Sequence, residues 1–303
     1  MDRAESPFRQ CISRIAFGSP SLVRNLIFFP LYGGDDGDGG APVISLHSAV
    51  QEGLAEIRDS GQVNWLDLLN GSDRKVLGID GQEVLGGLQN RILTISTLIS
   101  AHSTNRLPAL CVEQGRWKGS DDLFGHGSVA YPTIRNILAR TMPSERHTVQ
   151  SQVWRSITES FERTRRFSAT QSMSDLYRSF EEDLDRLAES LPCDDDQTGA
   201  AVLVRGSLLS VDSFSSPQLF RSYYPLLAKS HIMESIACEG KPMRWKELDT
   251  ISERILDRMG RARETEVISE ASGRHTVLEG AGLYGTALID DQRTMHLSAF
   301  AEV

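Results

Sequence analysis

Cysteine, lysine and long apolar runs are all scarce in this chain. Its four cysteines, Cys11, Cys111, Cys193 and Cys238, share no C-x-x-C spacing. That removes the usual sequence signature of a structural zinc site or a redox dithiol. Scattered thiols in a chain of 303 residues fit a reducing compartment, so a cytoplasmic protein is expected. The longest early apolar run, residues 26–31, contains Pro30 and falls well short of the ~20 residues of a membrane helix. Met1 to Phe17 mixes Asp2, Glu5 and Arg9 with few apolar residues and does not read as a signal peptide. No spacing of His, Cys, Asp or Glu implies a metal, and no motif names a cofactor. A glycine-rich match at Gly280-Ala281-Gly282-Leu283-Tyr284-Gly285 lacks a following helix, so turn glycines explain it better than a dinucleotide site. Only five of the 32 basic residues are lysine, and the other 27 are arginine. A net charge of -9 argues against an extended nucleic-acid surface. A local arginine pocket for carboxylate or phosphate remains compatible with it.

The pattern of apolar runs predicts an α+β fold. A β-rich N-terminal lobe is expected, an antiparallel sandwich or a curled sheet. A helical middle follows, and then a C-terminal α/β segment ending in hairpins. Residues 1–23 read as a variable extension. Residues 24–303 read as one domain, with lobes at 24–117 and 130–303. Residues 25–31, 63–69, 75–79, 91–99 and 107–112 are strand candidates, and Asp80-Gly81 marks a tight turn. Residues 118–128 read as a polar loop that could serve as a lid. Helices are expected at 133–140, 151–163, 174–191, 216–238 and 245–259. Phe220, Tyr223 and Tyr224 on the fourth of these suggest a homo-oligomer surface.

Two polar clusters stand out. Cys111-Val112-Glu113-Gln114-Gly115-Arg116-Trp117 ends a strand and enters a turn. Gln89-Asn90-Arg91 follows the pair Gly86-Gly87. In such a site Glu113 could act as general base or hold ribose hydroxyls. Arg116 could clamp phosphate, and Trp117 could stack on a base. A structural alternative is a Glu113–Arg116 ion pair that fixes the turn, with Trp117 in the core. Cys111 is a further, weaker candidate as nucleophile. His126, His231 and His296 lack metal spacing, although two histidines could still converge in space.

Residues 81–91 and 111–117 resemble the prokaryotic family named for its association with ADP-ribosylglycohydrolases and rhodanese-type phosphatases. Pro132 to Arg135, Gln152 to Trp154, Gly206 to Ser230 and His296 to Phe300 resemble it too, so the likeness spans about 24–300. What the resemblance implies is a protein that binds, and beyond that hydrolyses, an ADP-ribose-like or NAD-derived nucleotide. Glu113 and Glu83 are then the expected acid/base or ribose-binding carboxylates. Gln89, Asn90, Arg91, Gln114, Arg116 and Trp117 are the expected ligand-binding residues. A non-catalytic interaction subunit of a defence or stress operon stays open as the other expectation.

Overall fold

The computed structural model describes residues 5–33, 42–116, 123–238, 250–268 and 274–302. The aspartate-glycine loop at 34–41, Trp117 with residues 118–122, and Trp245 lie outside these. The fold is α+β, as expected. Its curled N-terminal sheet closes completely: Ser103–Cys111, Trp65–Asn70, Ala55–Asp59, Leu123–Val129, Gln82–Gly86 and Arg91–Leu93 form a six-stranded barrel. Alternation fills its interior. Leu66, Leu68, Leu107 and Ala109 point inward, while Leu110 and Val112 join the core outside.

Residues 25–31, expected as the first strand of the N-terminal lobe, form strand Leu26–Tyr32, which pairs instead with Gly199–Val204. It therefore belongs to a nine-stranded antiparallel sheet that ends in the C-terminal hairpins. Both faces of this strand are covered, which is why it reads as a continuous apolar run. Leu26 and Phe28 face the helical middle, and Ile27, Phe29 and Leu31 face the opposite layer. That layer includes helices Pro7–Arg14 and Ile251–Arg261. Residues 7–23 are thus built into the fold. Phe8 is fully buried, and Ser21–Val23 pairs with Leu26–Phe28. Burial of one such side chain contributes roughly 1.5–3 kcal/mol.

Other expected elements divide differently. Residues 91–99 form two strands, Arg91–Leu93 in the barrel and Thr97–Ile99 in a small three-stranded sheet. The expected helix at 174–191 breaks into Met173–Arg178 and Glu181–Glu189. Phe180 turns inward at the break, and Glu181, Glu182 and Asp183 favour a fresh helix N-terminus. The second half of the expected loop is strand Leu123–Val129, paired on both sides. Gly125 and Gly127 hide it in sequence, and ladder pairing overrides their low strand propensity. The long helix Pro217–Ala237 starts at an N-cap Ser216 as expected and contains Pro225, but its Phe220, Tyr223 and Tyr224 are buried in the core and present no oligomer surface. Gly280-Ala281-Gly282 turns between two antiparallel strands, so no helix opens on those glycines. No described helix is long and apolar enough to cross a membrane.

One buried ion cluster joins the parts. Arg135, on helix Pro132–Ala139, is fully buried. Its Nη atoms donate to both carboxylate oxygens of Asp212 at 2.6 and 3.1 Å, and its Nε donates to Asp80 at 3.1 Å. Asp212 lies in the large sheet, and Asp80 lies in the turn before barrel strand Gln82–Gly86. Ser96 Oγ donates to Asp80, and His296 Nδ1 lies 2.8 Å from that hydroxyl. Burial alone would raise both aspartates, but Arg135 and His296 beside them hold both below the ordinary carboxylate range. The stability these carboxylates contribute is therefore present above the unfolded pKa near 4 and lost as pH falls below it. Replacing Arg135 with Met leaves two buried carboxylates without their cation. Urea denaturation of Arg135→Met is expected to show a loss of about 3–5 kcal/mol at pH 7. A loss under ~1 kcal/mol would mean the cluster does not join the sheets.

Candidate functional site

The two polar motifs meet, and they largely satisfy one another. Antiparallel pairing sets Cys111 opposite Arg91, which brings Glu113 alongside Asn90. Gln89 Nε2 donates to the Glu113 carbonyl at 2.5 Å, and the Asn90 amide donates to Glu113 Oε2 at 3.2 Å. Arg116 forms the anticipated ion pair with Glu113 at 2.8 Å. The same guanidinium also donates to the Gly86 and Gly87 carbonyls and to Asn90 Oδ1. Asn90 Nδ2 donates to Ser174 Oγ at 3.0 Å, and the Met173 amide donates to the Val112 carbonyl. The motif therefore stitches one end of the barrel to helix Met173–Arg178. Arg91 sits apart from it. Its guanidinium is bound to the Trp65 carbonyl and to Asp59, and it lies over the Phe124 ring. Gln114 is exposed, and Trp117 lies outside the described residues. Burial pushes the Cys111 thiol up, only partly opposed by Arg91, so it is a poor nucleophile.

Glu83 lies elsewhere. It lies on barrel strand Gln82–Gly86, and its side chain backs the wall of a cavity of about 350 Å³ between the barrel and four helices. His47, His126, Ser128, Tyr177, Arg178 and Lys229 line the same space, together with Ser174 and Glu181. The Glu83 side chain is fully buried. Its Oε2 accepts from Ser128 Oγ at 2.6 Å and from the Ser128 amide at 3.3 Å. Its Oε1 has no hydrogen-bond partner among the described residues. Burial raises this carboxyl most strongly, the Ser128 bonds oppose the rise, and the nearby Glu113 charge adds to it. The result is a pKa pushed up to about 7. Gly127 makes the approach possible, because a Cβ there would lie 3.0 Å from Glu83 Cγ and Oε2.

The histidines that converge are His47 and His126, edge to face with ring centroids 4.2 Å apart. His47 is half-buried, its Nδ1 has no described partner, and burial together with His126 lowers its pKa. His231 and His296 are buried elsewhere, His231 against Ser210 and His296 in the Arg135 cluster. No group of three or more metal-binding side chains gathers among the described residues. The wall residues His47, Ser128, Arg178 and Lys229 were not singled out as site residues from sequence. Only the alternation of Phe124, His126 and Ser128 with Gly125, Gly127 and Val129 hinted at a strand presenting polar groups.

A buried charge network that is mutually satisfied should serve the fold. Glu113→Ala is expected to lose about 2–4 kcal/mol in denaturant unfolding, since Arg116 and the Asn90 amide lose their shared acceptor. An unchanged midpoint would free the cluster for another role.

Comparison with known proteins agrees with the motif pattern. No curated protein and no solved structure matches the chain. A family model described as ARPP-1, the ARG and Rhodanese-Phosphatase-superfamily-associated Protein domain, matches residues 14–300. That match starts inside the segment first read as an extension and covers nearly all 303 residues, so the chain belongs to the ARPP-1 domain family.

Proposed function

We propose that the Glu83 cavity binds and hydrolyses a phosphorylated, ribose-bearing nucleotide of the ADP-ribose or NAD-derived kind. The observation that carries this proposal is a buried carboxyl behind the wall of a cavity, with one oxygen unpaired among the described residues and a pKa near 7. A group so placed can both accept and return a proton at neutral pH. Arg178 and Lys229 supply positive charge to the cavity wall. Their ion pairs with Asp175 and Asp185 are solvent-exposed to a third or more. Such pairs are worth only ~0–1 kcal/mol, so a phosphate can compete for either cation. The volume lies at the low end of small-molecule sites, which suits a ribose with one phosphate inside and the remainder beyond the mouth. The family's name, which associates it with ARG and rhodanese-phosphatase proteins, points to the same chemistry by association only. Cys11, Cys111, Cys193 and Cys238 are free thiols, which suits the cytoplasm.

On this account Glu83, rather than Glu113, moves the proton, and the motif around Arg116 holds the wall in place through Ser174. A second reading is a non-catalytic interaction subunit in a defence or stress operon. The self-satisfied Glu113–Arg116 cluster favours it, because the family motif then serves the fold alone.

Isothermal titration with ADP-ribose and NAD separates the two. Wild type is expected to bind at least one of them. Glu83→Gln is expected to retain binding while turnover falls about 10²-fold or more. Absence of heat with both nucleotides would remove the proposal. Turnover should rise as pH climbs through about 7, because Glu83 accepts a proton only when ionised. The stability effect has the opposite sign. The raised pKa makes Glu83's contribution complete below the ordinary carboxyl value and lost as pH rises through about 7. At pH 8, Glu83→Gln should therefore exceed wild type in stability by on the order of 2 kcal/mol.

A further inference from the structure

We propose that Ser128 is the nucleophile of this cavity, and that the reaction it carries out is nucleotidyl transfer, in which attack on the diphosphate gives a phosphodiester of Ser128. The inference deepens the nucleotide proposal and rests on it for the substrate.

Three features of the geometry support it. Ser128 Oγ donates to Glu83 Oε2 at 2.6 Å, within the reach required between a nucleophile and its base. The Ser128 amide donates to the same oxygen, so the carboxylate is oriented by two donors from one residue. The strand that carries Ser128 is irregular at that point. Its pairing with Gln82–Gly86 shifts register between His126 and Val129. A bulge of this kind re-aims a side chain, and here it turns Ser128 toward Glu83 past a glycine with no Cβ to obstruct it. The cavity wall also carries Arg178 and Lys229, cations suited to non-bridging phosphoryl oxygens.

The chemistry balances with water as the only co-reactant. Ser128 Oγ attacks phosphorus, and its proton passes to Glu83 Oε2. The Oγ–P bond forms, the bond from phosphorus to the leaving oxygen breaks, and Glu83 returns the proton to that oxygen. Water then attacks the phosphorus of that phosphodiester and gives its proton to Glu83. The Oγ–P bond breaks, the nucleoside or ribose monophosphate departs, and Glu83 passes the proton to Ser128 Oγ. His47, His126, Tyr177 and Glu181 are the other titratable groups facing this space.

An alkyl fluorophosphonate tests the nucleophile without knowledge of the substrate. The Oγ–P bond forms, the P–F bond breaks, fluoride leaves, and the serine proton goes to Glu83. Intact-mass measurement of the full chain should show one adduct, mapped by peptide sequencing to Ser128. Glu83→Gln should slow its formation about 10²-fold. Ser128→Ala should show no adduct. If that variant melts early, Ser128→Cys replaces it. Alkylation of residue 128 by iodoacetamide should then accelerate as pH rises through about 7, and should lose that profile when Glu83→Gln is added. No adduct in wild type, or an adduct that persists in Ser128→Ala, overturns the nucleophile. Bound ADP-ribose without an adduct removes the nucleophile alone. An adduct at Ser128 without any nucleotide binding removes the nucleotide and leaves the nucleophile standing.

Discussion

The guanidinium of Arg135 is the contact on which the other parts of the molecule depend. It binds a carboxylate of the large sheet and a carboxylate at the foot of the barrel, with no access to water. An unpaired charge there would cost several kcal/mol, so barrel and sheet are held in one relation. The consequence reaches the cavity through Gly81. A Cβ on that residue would lie 2.7 Å from Arg135 Cγ, so the turn at Asp80-Gly81 packs directly on the arginine stem. The Gly81 carbonyl accepts from the Ala130 amide, which ties the turn to the end of strand Leu123–Val129. The two strands that leave this point carry Glu83 and Ser128. The ion cluster thus sets the register between the two residues assigned to chemistry, without touching either.

The family motif plays a related part at the other end of the same strands. Glu113, Arg116 and Asn90 bind one another and then reach Ser172 and Ser174, which begin a helix on the cavity wall. Density of functional groups in sequence is therefore a poor guide to which group reacts. Glu113 is bonded to a cation and a backbone amide, so its charge is satisfied. Glu83 is buried with one oxygen unpaired, and that difference in environment separates their roles.

Much of the fold was legible in the sequence because period and punctuation agreed with tertiary structure. The turn at Asp80-Gly81, the capped helix from Ser216 and the C-terminal hairpins all declare themselves locally. Features set by distant partners did not. Leu26–Tyr32 reads correctly as a buried strand, yet nothing local reveals that its partner is Gly199–Val204. Leu123–Val129 looks like a loop because its glycines serve close packing rather than flexibility. Among the candidate site residues, Glu83 was recognised as a carboxylate of interest, but its burial could not be read from its neighbours. His47 and His126 lie far apart in the chain and meet only because a short helix packs on the barrel.

The fold raises one buried carboxyl, at a cavity wall, into the neutral range. Carbon-13 NMR of side-chain-labelled glutamate, with Glu83→Gln to assign the resonance, measures it directly. The Glu83 carboxyl is expected to titrate at about 7. Titration in the ordinary glutamate range near 4 would contradict it.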